Sequence, residues 1–168
     1  MLKNLIGARK VARQKQQSAR QKYLSQIRDD NANLSLLMQS TGVSKIALAM
    51  LFLTEGSKRS GSLVFCNSDP RVIELFLHLL RYCYKLGEEK FRCTVQCRAD
   101  QNVQKLESFW SGITGIPIKQ FCKAQIDKRS VGKPTKKDTY MGVCRIDYYS
   151  AHIFNELSEV VEILYKGH

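Results

Sequence analysis

Apolar residues at helical spacing form the clearest pattern in the chain. The longest stripe begins after Asp69 and stops at Gly87, with apolar positions three and four residues apart. Two further stripes follow Asp100 and Ser150, and a shorter apolar segment follows Ser44. These patterns predict four helices, with Ser44 and Asp100 as N-caps of two of them.

Strands are predicted between the helices. Residues 91–98 alternate strictly, so the strand should bury one set of side chains, namely Phe91, Cys93, Val95 and Cys97. Shorter runs with strand character cover residues 62–67, about 118–126 and about 139–148. Helices and strands in this order predict an α+β domain.

Strands with one apolar and one polar face imply a sheet that helices cover on one side only, and we expect this sheet to be antiparallel. The uncovered face would carry basic, amide and hydroxyl side chains: Arg92, Thr94, Gln96, Arg98, Lys119, Lys123, Gln125 and Arg145. A face without acids suits the major groove of DNA, where Arg and Lys bind guanine and Gln binds adenine. An ordinary solvated sheet face is the alternative.

Positive charge is concentrated in two parts of the chain. The 168 residues carry 27 Lys and Arg against 15 Asp and Glu, a formal net charge of +12. Eight basic residues and no acid lie within residues 1–28, which predicts a basic helical segment over 1–43 before a domain over 44–168. Seven more basic residues lie within 119–137, a stretch that predicts a long loop. This distribution favours a polyanion as the partner.

Several protein classes are excluded. The longest apolar run has eight residues, against about 20 in a membrane-spanning helix, and no stretch pairs a basic face with a strongly apolar one. No signal-peptide core is present, so we expect a cytoplasmic, organellar or nucleoid-associated protein rather than a secreted one, without membrane association. The cysteines include no Cys-x-x-Cys pair, which favours buried reduced thiols over a zinc site.

Residues 48–56 combine apolar and acidic character in an unusual way. The helix that they predict is apolar almost all the way round, so it should be buried on every side. Its last turn nevertheless ends in Glu55, and the basic residues Lys58 and Arg59 follow closely. Burial alone does not explain a carboxylate next to two cations at this end.

This segment resembles the nine-residue motif of the LAGLIDADG homing endonucleases. The matching residues are Leu48, Ala49, Leu51 and Gly56, and Glu55 occupies the final acidic position. The departures are Met50, Phe52, Leu53 and Thr54, together with Glu55 itself, which stands where the motif has Asp. The resemblance extends over about residues 44–166 and implies a sheet saddle that binds DNA.

The chain contains one copy of this motif, and the number of copies determines what the resemblance implies about catalysis. In this family two motif helices pack side by side, and each places one acid near a scissile phosphate, where the acids hold Mg²⁺ or another divalent cation. One motif per chain implies a homodimer, with Glu55 as the catalytic and metal-binding acid. Asp69 and Lys166 are further catalytic candidates. The implied dimer interface comprises Leu48, Ala49, Leu51 and Phe52.

The implied function is sequence-specific binding of double-stranded DNA and hydrolysis of both strands. The candidate DNA-binding residues are Lys58, Arg59, Arg92, Thr94, Gln96, Arg98, Lys119, Lys123, Gln125, Lys128, Arg129, Lys133, Lys136, Lys137 and Arg145. Two alternatives stay open: a DNA-binding regulator that does not cleave, and an intron-splicing cofactor, for which RNA is a possible partner. RNA binding through strand aromatics is disfavoured, because Phe121 is the only good candidate.

Overall fold

A computed structural model describes residues 2–57 and 61–167, with side chains from residue 9 onwards. The chain forms two compact units, Met1–Ser40 and Thr41–His168. The boundary lies before the predicted one because the helix expected after Ser44 already begins at Thr41. Ser44 is buried inside this helix, so the prediction that it is an N-cap was wrong.

The N-terminal unit contains two helices, α1 (Leu2–Asp30) and α2 (Leu34–Leu37). Ala, Gln and Arg favour the helical state of α1, as the sequence predicts. All side chains described in α1 are exposed. Among the described residues, no helix has the length and apolar character needed to cross a membrane.

The second unit has the predicted α+β composition. Its elements are α3 (Thr41–Glu55), β1 (Leu63–Asn67), α4 (Pro70–Cys83), β2 (Phe91–Arg98), α5 (Val103–Thr114), β3 (Gln125–Asp127), β4 (Val143–Tyr148) and α6 (Ala151–Lys166). Short 3-10 turns occur at Glu88–Lys90, Ile118–Gln120 and Lys128–Ser130.

The four strands form a mixed sheet in the order β1-β4-β2-β3. β4 runs antiparallel to both β1 and β2, whereas β3 runs parallel to β2. The prediction of a purely antiparallel sheet was therefore wrong. The reason is that α5 connects β2 to β3, and a helical crossover returns the chain in the same direction.

The third and fourth strands are also shorter than the sequence patterns suggest. The predicted strand over 118–126 is reduced to β3, because a 3-10 turn occupies Ile118–Gln120 directly after Pro117. The predicted strand over 139–148 begins only at Val143. A long loop, residues 128–142, thus separates β3 from β4.

One face of the sheet forms the core. The four alternating residues Phe91, Cys93, Val95 and Cys97 are buried, which confirms the strand prediction. Helix α4 covers this face through Phe76, whose ring stacks on Phe65 of β1 with the ring centroids 3.9 Å apart. Trp110 of α5 is fully buried, and α3 packs against α4 and α6. All six cysteines are free thiols.

Candidate nucleic-acid interface

The opposite, polar face of the sheet carries half-exposed cations but also acids. Arg92, Gln96 and Arg98 of β2 are half-exposed, whereas Thr94 between them is buried. Asp147 of β4 lies on the same face, opposite Arg92 in the strand register. The expectation of a face without acids was therefore wrong, because residues 143–148 alternate and place Asp147 beside Arg145.

Arg145 is committed to a buried ion pair on this face. Its Nε and Nη2 atoms donate hydrogen bonds of 2.8 and 2.6 Å to the Asp147 carboxylate, whose exposed fraction is only 10%. The pairing with Asp147 raises the pKa of Arg145 further above its already high value. Because its charge is largely compensated, Arg145 offers a polyanion less attraction than the sequence suggests.

A long basic loop (residues 128–142) stands over the β2–β3 end of the polar face. Gly132, with φ near 73°, makes the turn that brings the chain back. Asp100 accepts hydrogen bonds from the Thr135 amide at 2.6 Å and from its hydroxyl at 2.9 Å. Asp100 is thus not the N-cap of α5; Asn102 takes that role by accepting from the Lys105 amide at 3.0 Å.

The C-terminal end of the basic loop is anchored from the other side. The Gln101 amide donates to the Tyr140 carbonyl at 2.6 Å, and the Trp110 indole donates to the Met141 carbonyl at 2.7 Å. Gly142, with φ near 71°, then passes so close to β2 that an added Cβ would lie 2.5 Å from the Gln96 carbonyl oxygen. Only glycine permits this approach.

The basic loop and the sheet edge enclose a groove of about 1050 Å³. Five cations line it, against the single acid Asp127: Arg98, Arg129, Lys133, Lys136 and Lys137. Arg129 pairs with Asp127 at 2.9 Å, and Arg98 donates to the Lys133 carbonyl. The three groove lysines are exposed and take part in none of the ion pairs found among the described residues.

Two amide side chains lie in the floor of the groove. Gln96 of β2 pairs in register with Gln125 of β3, so both project from the same face of adjacent strands. Tyr140 and Thr135 also line the groove, and neither had a recognisable sequence signal. Exposed lysines around amides correspond to the usual division between phosphate contacts, which position a protein on DNA, and base contacts, which give specificity.

The acids that shape the groove stay ionised at neutral pH. The hydrogen bonds from the amide and hydroxyl of Thr135 lower the pKa of Asp100. The side-chain and backbone hydrogen bonds from Arg129 lower the pKa of Asp127. The contact of Asp100 with Thr135 and the local pair of Asp127 with Arg129 therefore persist throughout the physiological pH range.

Glu55 lies at the opposite end of the polar face, beside β1. It is exposed at the end of α3, where Gly56 bridges to Phe65 and the Ser57 amide donates to the Val64 carbonyl at 2.8 Å. Burial raises the pKa of the Cys66 thiol; nearby Arg145 opposes this, and the charges of Asp147 and Glu55 add to it. Glu55 is therefore close to Cys66 on the polar face.

The acid and the basic groove are separated by the width of the sheet. Because β1 and β3 are the two edge strands, three strand spacings of about 4.8 Å separate them, roughly 14 Å in all. The end of α3 that carries Glu55 and the basic groove thus lie at opposite edges of one sheet.

Glu55 offers a single carboxylate as a possible ligand for a divalent cation. Among the described residues, no three His, Cys, Asp or Glu side chains group as a metal site. Mg²⁺ commonly binds one or two carboxylates and completes its coordination with water and phosphate oxygens. Glu55 fits that pattern only when a second carboxylate or a bound phosphate joins it.

The two other catalytic candidates are held in local contacts. Asp69 caps α4 by accepting from the Arg71 amide at 2.9 Å, and hydrogen bonds from the Arg71 side chain lower its pKa. Lys166 lies 3.8 Å from Glu162 at the end of α6. None of the contacts found among the described residues joins either side chain to Glu55.

The predicted dimer interface is largely internal to one chain. Leu48 and Ala49 are fully buried, Phe52 packs against Phe154 with ring centroids 5.8 Å apart, and Leu51 is half-buried. These side chains cannot form the main contact surface for a second chain, so that prediction needs correction. The exposed apolar side chains of α3 are instead Val43, Ile46 and Met50, 37%, 44% and 44% exposed.

The remaining predicted contacts are dispersed. Lys58 and Arg59 lie outside the described residues. Lys119, Lys123 and Lys128 are exposed but do not line the groove. Of the fifteen DNA-binding candidates, the structure brings seven together in the groove: Gln96, Arg98, Gln125, Arg129, Lys133, Lys136 and Lys137.

Comparison with known proteins leaves the family open. No protein-family model matches the chain, and no curated protein or solved structure matches it either. The resemblance to the LAGLIDADG family therefore stays a hypothesis based on residues 48–56 and the distribution of charge.

We expect Asp100→Ala to release the basic loop, because Thr135 loses both of its hydrogen bonds to the carboxylate. Trypsin at pH 8 should then cleave after Lys136 and Lys137 several-fold faster than in the wild type. Glu74→Ala removes a carboxylate of the same charge from an exposed position on α4, away from the cleavage sites, and should leave the cleavage rate unchanged. Equal rates for both variants would contradict the anchoring role.

The contact between Asp100 and Thr135 also predicts that the protection of the Thr135 amide depends on pH. The pKa of Asp100 is lowered in the folded state. The stabilisation that its contact with Thr135 gives the loop is therefore complete above the ordinary Asp pKa of about 3.9, and it is lost as the pH falls through the folded-state pKa. The Thr135 amide, observed by NMR hydrogen exchange relative to its intrinsic rate, should lose protection over that acidic range. Unchanged protection would show that Asp100 does not hold the loop.

Proposed function

We propose that the chain is a double-stranded-DNA-binding protein that works as a homodimer and hydrolyses both DNA strands with the help of a divalent cation. The observation that carries the proposal is the groove between the basic loop and the β2–β3 edge, with three unpaired lysines around two neighbouring amides. This is the chemistry required for phosphate contacts around a base-reading centre.

Charge supports DNA over a small anion as the ligand. The groove is open and wide, and its lysines sit on flexible side chains rather than in a closed cage. Such side chains gain affinity by releasing counterions condensed on a polyanion, an effect that a small ligand does not offer. Gln96 and Gln125 can each form two hydrogen bonds to an adenine edge in the major groove.

The position of Glu55 supports hydrolysis as the activity. A divalent cation bound there would activate a water molecule and neutralise charge on the leaving oxygen. Glu55 supplies an oxygen ligand from the end of α3, and the backbone pairing of Gly56 with Phe65 fixes that end against the sheet. One acid per chain serves one scissile phosphate, so cleavage of both strands requires a second chain.

The exposed apolar side chains of α3 support dimerisation. Val43, Ile46 and Met50 recur at spacings of three and four residues, so they form one stripe on the helix that ends at Glu55. Pairing this stripe with its copy would remove apolar area from water and bring two Glu55 carboxylates towards each other.

A DNA-binding protein without cleavage activity is the second candidate. The observation that favours it is that Asp69 and Lys166 are held by Arg71 and Glu162, which leaves Glu55 without a described catalytic partner in its own chain. An intron-splicing cofactor would use the same groove for RNA, so the binding assays below include an RNA duplex.

Groove binding predicts that Lys136→Gln/Lys137→Gln weakens DNA binding about tenfold and lowers the slope of log affinity against log salt by about 2, since each lost phosphate contact removes about 0.9. Fluorescence anisotropy over a salt series measures both quantities. The matched control is Lys85→Gln/Lys90→Gln, which removes two exposed lysines outside the groove. Equal losses in the two variants would exclude the groove as the binding site, and tighter binding of an RNA duplex would favour the splicing alternative.

Catalysis by Glu55 predicts that Glu55→Gln loses Mg²⁺-dependent cleavage of a randomised DNA pool by more than about a hundredfold while binding changes less than twofold. Glu74→Gln alters an exposed acid on α4 and serves as the control. Undiminished cleavage by Glu55→Gln would exclude Glu55 as the metal ligand. Binding without any wild-type cleavage would support the regulator.

Dimerisation through α3 predicts that Ile46→Glu shifts the protein to a monomer, because two buried carboxylates would face each other without partners. Light scattering at micromolar concentration gives the molar mass. Ile163→Glu places the same charge at an exposed position of α6 and should leave the dimer intact. A monomeric wild type at that concentration would contradict the shared site.

A further inference from the structure

The two sides of helix α1 differ in composition and in charge. At about 100° of rotation per residue, Arg9, Arg13 and Arg20 project within roughly 40° of one another. Further long polar side chains fall within an arc of about 140° that includes these arginines. We call this side the Arg/Gln face, and its members are Arg9, Lys10, Arg13, Gln14, Gln17, Arg20, Gln21 and Arg28.

The other side of α1 is mixed and less basic. It carries two cations, Lys15 and Lys22, among small, apolar and amide side chains: Val11, Ala12, Gln16, Ser18, Ala19, Tyr23 and Gln26. No acid occurs before Asp29, so the Arg/Gln face has no internal counter-charge along most of its length. The charge on α1 is thus directed to one side.

The Arg/Gln face is free to bind a partner. All side chains described in α1 are exposed, including Arg13 and Arg20. None of the ion pairs found among the described residues involves these arginines. A polyanion would supply the missing counter-charge.

An anionic membrane is the less suitable polyanion. Binding to a membrane surface requires a continuous apolar face opposite the cations. On the side of α1 opposite the Arg/Gln face, Lys15, Ser18 and Lys22 interrupt the exposed apolar side chains Val11 and Tyr23. The exposed Leu24 and Ile27 lie among the arginines.

Duplex DNA matches the size and chemistry of this face. The major groove admits an α-helix, and Arg and Gln are the side chains that form paired hydrogen bonds with guanine and adenine there. With 29 residues, α1 is roughly 44 Å long, so its ends can reach phosphates beyond the part that lies in the groove. The deep, narrow major groove of an RNA duplex excludes such a helix.

We propose that α1 is a second DNA-binding unit that lies with its Arg/Gln face in the major groove. This inference rests on the proposed function in one respect, that the partner is DNA. The site that it assigns to the N-terminal unit is separate from the groove of the second unit. Because both units belong to one chain, the binding of one raises the effective concentration of the other at the DNA.

The test compares two double variants of the full-length protein. Arg13→Gln/Arg20→Gln changes the Arg/Gln face, and Lys15→Gln/Lys22→Gln changes the other side of the same helix. Each removes two positive charges and introduces glutamine, whose helix propensity is close to that of Arg and Lys. Circular dichroism verifies that both variants keep the helix content of the wild type.

We expect the arginine variant to bind a labelled DNA duplex about tenfold more weakly and with a salt slope lower by about 2, and the lysine variant to lose less than twofold. Equal losses would overturn the proposal, because they would show attraction by charge without a preferred face. No loss in either variant would also overturn it, as would equally tight, equally face-dependent binding of an RNA duplex.

The same assay separates this proposal from the proposed function. Weakened binding by Lys136→Gln/Lys137→Gln together with unchanged binding by the arginine variant would overturn the role of α1 and leave the groove intact. The reverse result would support α1 and exclude the groove. Loss in both variants supports two DNA-binding sites on one chain.

Discussion

The two-residue period of β2 is the constraint on which the candidate interface depends. Phe91, Cys93, Val95 and Cys97 are fixed in the core beneath α4 and α5, so the residues between them must face the other way. A shift of one residue in the pairing with β4 would put Arg92 and Arg98 into the core, at a prohibitive desolvation cost. The strength of the apolar face therefore determines the position of the polar one.

Because aspartates compensate the arginines of the polar face, the positive charge that is available to a ligand lies mainly on the basic loop. On the sheet, Arg145 is bound to Asp147 and Arg98 lies 3.7 Å from Asp100; at the start of the basic loop, Arg129 is bound to Asp127. These ion pairs hold the arginine side chains in place and leave the polar face with little net charge. The groove lysines are exposed and take part in none of the ion pairs found among the described residues, so their charge stays available to a polyanion. The sheet thus supplies shape and hydrogen-bonding groups, and the loop supplies electrostatic attraction.

The sequence predicted the periodic elements of the fold and missed the contacts between residues that are far apart in the chain. Alternation located β2, and apolar stripes located α4, α5 and α6, because a single periodicity governs each element. The parallel pairing of β3 and the role of Asp100 involve residues about 30 positions apart, and local patterns carry no information about them. For α3, which is apolar all round, periodicity does not distinguish the side that faces its own core from a side that could face a second chain. The interface that the resemblance implies, at Leu48, Ala49, Leu51 and Phe52, therefore had no independent support from the sequence pattern. The basic character of the groove was predictable because five of its lining residues are Lys or Arg.

The anchoring of the basic loop has a consequence for how such an interface can change over generations. Arg98, Gln101 and Trp110 all hold the loop through its backbone carbonyls, at Lys133, Tyr140 and Met141. A carbonyl is present whatever the side chain, so substitutions at those three loop positions leave the anchors in place. New side chains can therefore be presented to a ligand while the scaffold stays the same. This separation of support from recognition lets a binding preference drift without a loss of folding stability.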